Sequence, residues 1–345
     1  MTRRERGLRK KVIPGAQRGA PSYSYWGFAW RRFKRHRLAM FGAAVMILLV
    51  LGAIAAPILT PYEFSRQNRK VRFSGPSFSV PTDPALVGQC IRPQVLFWPC
   101  GAHPFGTDDL GRDILARVLQ GGRVSLLVGF VAAIFSTLLG GAIGALAGYW
   151  GRAPDAVISR FIEIMLSIPQ LPLLLIFVGL LANPQVRFAA ALSDFLGDAK
   201  SIAVIVVVII AFSWMSTARL VRGQILSLRE REFVEAARAV GAPSWRIVFR
   251  HLLPNATAVM IVQATLMTGE AILIESGLSF LGLGIQPPAV SWGNMLSRAQ
   301  EFLYYPNGVY IAFFPGLFIF LTVLCANFVG DGLRDALDPR HHGRV

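Results

Sequence analysis

Six apolar stretches, each long enough to cross a hydrocarbon core, leave this chain few folds to choose from. They run approximately Leu38–Leu59, Val124–Trp150, Ile164–Ala182, Ser201–Ala218, Leu252–Ile274 and Tyr310–Gly330. A bilayer core takes about 20 helical residues, and backbone polar groups inside it must be satisfied within the protein, which a helix does by itself. The first stretch holds no charged residue, is too long for a signal-peptide core and lacks a small-residue cleavage site, so it is read as a retained span. Only 16% of residues are charged, against about 25% in soluble chains. The expected fold is an all-α membrane protein with six transmembrane helices. Its parts are a basic tail and interfacial segment (1–37), a first span (38–60), an outer loop with a short helix (61–122), a five-span core (123–332) and a tail (333–345).

The formal net charge is +16, but its placement argues against nucleic acid. Twelve of the 35 Lys and Arg precede Leu38, and most of the others flank apolar runs, which suits anionic headgroups. With the N-terminus inside, the pieces 1–37, 151–156, 223–251 and 333–345 hold 12, 1, 5 and 3 of them, whereas 61–122, 183–200 and 284–308 hold 7, 2 and 1. The long 61–122 loop counts for little in such a comparison, and both termini are expected in the cytoplasm.

Local chemistry refines this plan. Trp26, Phe28, Trp30 and Phe33 interleave with Arg31, Arg32, Lys34 and Arg35, an interfacial pattern. A short helix is expected after Thr107 or Asp108, which can cap it, with Gly121 and Gly122 closing it. Gly140, Gly144 and Gly148 recur every four residues, a spacing that lets a neighbouring helix come close. Pro169 and Pro172 remove backbone donors and should kink the third span. Cys325 reads as a packed apolar residue. Cys90 and Cys100, ten apart in the outer loop, are either free thiols or a disulfide; an oxidising compartment favours the bridge. Together with His103 they are too few for a zinc site, and no metal is expected.

The segment from Leu228 to Asn255 is the most informative. Phe233, Ala237 and Val240 share a helical face, Gly241 suits a left-handed C-cap, and Pro243 stops continuation. Ser244 can cap a second helix carrying Trp245, Val248, Phe249 and Leu252 on one face. Two amphipathic helices pinned between spans four and five can lie on the membrane or receive a cytoplasmic partner. They are too tightly tethered to reach DNA.

Glu235-Ala236-Ala237, Gly241 and Leu253-Pro254 resemble the EAA loop of ABC-importer permeases. Five further motifs resemble the dipeptide/oligopeptide/nickel branch of that family, and its second (C-type) permease in particular: Phe105-Gly-Thr-Asp-Asp-Leu-Gly-Arg-Asp113, Arg250-His-Leu-Leu-Pro-Asn255, Leu278-Ser-Phe-Leu-Gly-Leu-Gly284, Ser291-Trp-Gly-Asn294 and Gly330-Asp-Gly-Leu-Arg-Asp-Ala-Leu-Asp-Pro339. The similarity spans roughly Trp26 to Arg340 apart from 64–102, and departs from the EAA consensus at His251, where that pattern has Ile. The resemblance implies a coupling helix in which Leu228, Glu232, Phe233, Glu235, Ala236, Ala237, Gly241 and Pro254 meet an ATPase. It also implies a heterodimer with a second permease subunit, two cytoplasmic ATPases that hold ATP and Mg, and an extracytoplasmic substrate-binding protein. The site would be the bacterial plasma (inner) membrane. Peptides are the expected cargo, with nickel or other small solutes as the alternative class.

Other mechanisms find less support. None of the five lysines (10, 11, 34, 70 and 200) stands in a GxxxxGK[ST] loop, so no nucleotide is expected on this chain and no catalytic residue is assigned. The histidines lie outside the apolar runs or at their edges, which removes a Ser-His dyad from the bilayer. Glu163, Glu270 and Glu275 keep a proton-coupled transporter in view, although no inverted repeat accompanies them. Glu275 is the candidate for gating or substrate passage.

Overall fold

The computed structural model describes residues 25–80, 90, 99–183 and 199–338. The tail before residue 25, the 184–198 stretch, most of 81–98 and the chain after Asp338 lie outside the described residues. Every regular element among the described residues is helical. We number them α1 (Tyr25–Arg35), α2 (Arg37–Ile54), α3 (Ile114–Trp150), α4 (Arg152–Ser167), α5 (Gln170–Ala182), α6 (Lys200–Leu228), α7 (Glu232–Ala239), α8 (Ser244–Phe280), α9 (Trp292–Ala299) and α10 (Val309–Leu337). Five of these, α2, α3, α6, α8 and α10, are long and apolar enough to cross a membrane, and α4 with α5 makes a sixth if the bent pair is one span.

That pair meets at 93°, a break rather than the expected kink. Ile168 takes an extended conformation before Pro169, as sterics at a residue preceding proline demand. Pro172 bends nothing, because it falls in the first turn of α5, where a missing N–H costs no helical bond.

The start of α3 also differs from expectation. Asp113, not Thr107 or Asp108, is its N-cap and accepts the Ala116 N–H at 2.7 Å. The helix does not close at Gly121 and Gly122 but runs through them to Trp150. A Cβ at Gly121 would lie 3.3 Å from the Ser291 backbone, and one at Gly122 would lie 2.9 Å from the Trp292 ring. These glycines are docking points for α9, and bilayer helices tolerate them because packing replaces the missing side chain.

The 140/144/148 register performs the role its spacing suggests. Gly144 lies against the Ala218 backbone of α6, and a Cβ at Gly148 would stand 2.9 Å from the Arg222 carbonyl oxygen. Beyond this seam a core of Ile114, Val118, Ile272, Trp292, Met295 and Ile311 joins α3, α8, α9 and α10. Trp292 is fully buried, and its Nε1 donates to the Val118 carbonyl at 2.8 Å. At the other end of the bundle α1 and the start of α2 fold beneath α10, with Phe33 of α1 and Ala39 of α2 packed under Gly332 and Ala336.

Candidate functional site

At the end of the bundle formed by Trp150 and Leu228, the chain turns through 229–243 and makes a bracket. Helices α6 and α8 reach further than the apolar stretches alone indicate, so the free loop is shorter than 223–251. Glu232 opens α7. The helix closes in a Schellman motif: Ala242 N–H donates to the Ala237 carbonyl at 3.0 Å, Gly241 N–H donates to that of Arg238 at 2.9 Å, and Gly241 adopts φ +80. That left-handed φ is why glycine stands here.

The second helix is not separate. Ser244–Arg246 runs through a π-helical turn, Ile247–Leu252, into the rest of α8, and Ser244 makes no side-chain cap. The wide turn lies one turn before Pro254, whose ring cannot donate to the Arg250 carbonyl and crowds it. Asn255 Nδ2 donates to the neighbouring His251 carbonyl at 2.6 Å.

The bracket has two different faces. Val234, Ile247, Val248 and Leu252 are buried against Val221 and Ile225, with Leu228 and Ala237 packed beside them. Phe233, Val240, Trp245 and Phe249 are exposed, Val240 by 88% and Trp245 by 63%. The expected face of Phe233, Ala237 and Val240 is therefore split: the chain covers Ala237 in part and leaves the other two bare. Glu232, Glu235, Ala236, Gly241 and Pro254 are also exposed. Glu235 makes no ion pair among the described residues. It lines a shallow pocket with Tyr149, Arg229, Glu230 and Arg238, in which the Arg238 guanidinium lies 5.3 Å from the Tyr149 ring centre.

Glu275 belongs to the opposite end. It is fully buried and receives two hydroxyls: Ser279 Oγ at 2.7 Å and, from α3, Ser125 Oγ at 3.3 Å. Ser279 Oγ also accepts the Ile285 N–H at 3.2 Å, and Ser125 Oγ accepts that of Trp292 at 3.1 Å. One carboxylate thus ties α3, α8 and the 281–291 loop together. The motif Ser291-Trp-Gly-Asn294 is a capping box on α9, and Asn294 Nδ2 also holds the Ala289 carbonyl at 3.0 Å.

The Phe105–Asp113 motif knits the same end. Asp108 accepts the Leu110 and Arg112 N–H groups at 2.9 Å each, and its other oxygen pairs with Arg112 Nε at 2.7 Å. His103 Nδ1 lies 2.8 Å from Asp113 Oδ2, and its ring stacks on Tyr62. Burial pushes the Tyr62 phenol up to about 12, so it stays protonated while accepting the Gly101 N–H at 2.6 Å. The structure joins Cys90 to Cys100 with Cα atoms 6.1 Å apart. The sequence does not single out Arg117 and Arg298, which this folding brings beside Arg112; no local pattern marks them, because only the packing of α9 near the start of α3 brings them together.

A bundle of spanning helices, one of them broken, with an amphipathic bracket at one end defines a multi-pass membrane permease. Residues 140–342 match the family described as binding-protein-dependent transport system inner membrane component, and 24–76 match the N-terminal TM domain of oligopeptide transport permease C. The chain is 40% identical over 317 residues to the dipeptide transport system permease protein DppC of Alkalihalophilus pseudofirmus, covering 92% of this chain and 90% of that protein. It is 37% identical to DppC of Bacillus subtilis (93% and 87% covered) and 35% identical to the oligopeptide transport system permease protein OppC of the same organism (92% and 91%). The chain belongs to this ABC-importer permease family, in its C-type branch. A chain of the MetNI methionine ABC transporter, solved in an inward-facing conformation, matches 64% of this chain and 96% of its own length at TM-score 0.46 and 20% identity.

Proposed function

We propose that this chain is one transmembrane subunit of an ATP-driven importer that moves di- or oligopeptides across the bacterial plasma membrane. The single observation carrying the reading is the bare outer face of the bracket: Phe233, Val240, Trp245 and Phe249 are exposed above a fully packed inner face. Exposed aromatic and aliphatic groups at the end of a membrane domain call for a protein partner. In this reading the partner is a cytoplasmic ATPase, one of two, which binds ATP and Mg; this chain holds no nucleotide and catalyses nothing. Glu235 meets a cation of the ATPase, and the Schellman turn at Gly241 fixes the angle of α7. A second, similar permease completes the pathway as a heterodimer, and a substrate-binding protein delivers peptide from outside. Both termini are cytoplasmic, as the lysine and arginine distribution supports. The names of the relatives support peptide as cargo.

The test is ATP-driven dipeptide uptake into proteoliposomes that carry the whole complex. Glu235→Arg turns an attraction into a repulsion, and uptake should drop about tenfold or more. Undiminished uptake by the variant, or uptake driven by a proton gradient without the ATPases, overturns the reading.

A further inference from the structure

The end of the bundle opposite the bracket holds a pocket of about 380 Å³ into which three arginines converge: Arg112 just before α3, Arg117 in its first turns, and Arg298 from α9. Arg112 is satisfied, pairing with Asp108 at 2.7 Å and approaching Asp109 at 3.5 Å. Arg117 is not. It is only 6% exposed, and its closest carboxylate oxygen, Asp108 Oδ2, stands 3.6 Å from Nε, too far for a hydrogen bond. Arg112 already holds that same oxygen. Arg117 is therefore held by charge alone, in an ion pair with Asp108 that makes no side-chain hydrogen bond among the described residues, so its fork stays available to an oxygen ligand. Arg298, on the rim, has no acid partner among the described residues and repels Arg117.

Three guanidiniums face two carboxylates, which leaves about one positive charge uncompensated. That excess suits a monoanion, and the guanidinium fork suits a planar, two-oxygen acceptor. A dianionic phosphate would carry surplus charge past Asp108 and Asp109. The pocket wall includes Ser279, the residue that bonds Glu275, and Asn294, which braces the 281–291 loop.

We propose that this pocket receives the C-terminal carboxylate of the incoming peptide. The inference rests on the peptide-importer reading and adds a recognition element within the permease itself. The permease–ATPase complex in nanodiscs, without binding protein, is titrated with dialanine and with dialanine amide by ligand-observed NMR. Dialanine should bind, and its amide about tenfold or more weakly. Arg298→Gln, an exposed position that leaves the core alone, should lower dialanine affinity about tenfold and leave the amide unchanged. Arg117→Lys keeps the charge but loses the fork, and should narrow the acid–amide difference. Equal binding of acid and amide, no binding of either, or indifference to Arg298→Gln overturns the proposal. ATP-driven uptake by the native complex is measured in parallel: uptake without acid–amide discrimination rejects the pocket alone, whereas absent uptake rejects the importer reading.

Discussion

Ser125 on α3 donates its hydroxyl to the Glu275 carboxylate on α8 at 3.3 Å, across 150 residues of chain. Because Ser125 also accepts the Trp292 N–H and Ser279 accepts that of Ile285, the carboxylate organises the loop before α9. Glu275→Ala removes the acceptor of two buried hydroxyls and should destabilise the protein by about 2–3 kcal/mol. Glu275→Gln keeps one oxygen acceptor and should cost about half as much. Thermal unfolding of the detergent-purified complex measures both. Full stability of the alanine variant together with lost transport would assign Glu275 to gating alone.

Gly241 offers a test that separates backbone strain from crowding. No atom lies within 4 Å of a Cβ built there, while φ is +80. Gly241→Val should therefore cost about 1–2 kcal/mol through the backbone alone, and Gly241→Asn, which tolerates this conformation, distinctly less. The readout is peptide transported per ATP hydrolysed. A valine variant coupled as tightly as wild type would show that the turn can take another shape.

The α3–α6 seam predicts a contrast between two glycines. Gly144 abuts the Ala218 backbone, whereas a Cβ at Gly179 in α5 meets nothing within 4 Å. Gly144→Val should destabilise by about 1–3 kcal/mol through overpacking, while Gly179→Ala should be neutral or slightly stabilising. Chemical unfolding in mixed micelles compares them, and equal effects would contradict the packing.

Oxidation of Cys90 and Cys100 closes a loop of ten residues and should stabilise this region by about 2–3 kcal/mol in the chain-entropy model. Non-reducing mass spectrometry of the protein extracted from membranes should recover the linked peptide. Complete alkylation of both thiols before any reduction would show that they are free.

Much of this architecture follows from residues close together in the sequence. Apolar runs of spanning length become helices because lipid offers no other partner for their peptide groups. Gly241 followed by Pro243 ends α7 because the backbone conformation there excludes most side chains, and the 140/144/148 register places one bare stripe on one face. Each of these rests on interactions within about four residues, which is the distance over which periodicity and propensity operate. What only the tertiary structure decided depends on approach from far along the chain. Gly121 and Gly122 look like a helix stop until α9 arrives to pack on them. Val234, rather than Phe233, is the buried residue of α7 because α6 and α8 choose which side of the bracket they cover. Glu275 finds the hydroxyl of Ser125 on another helix, and Arg112, Arg117 and Arg298 become one pocket, because the packing of α3, α8 and α9 brings side chains more than a hundred residues apart within reach of each other; no local preference carries that information.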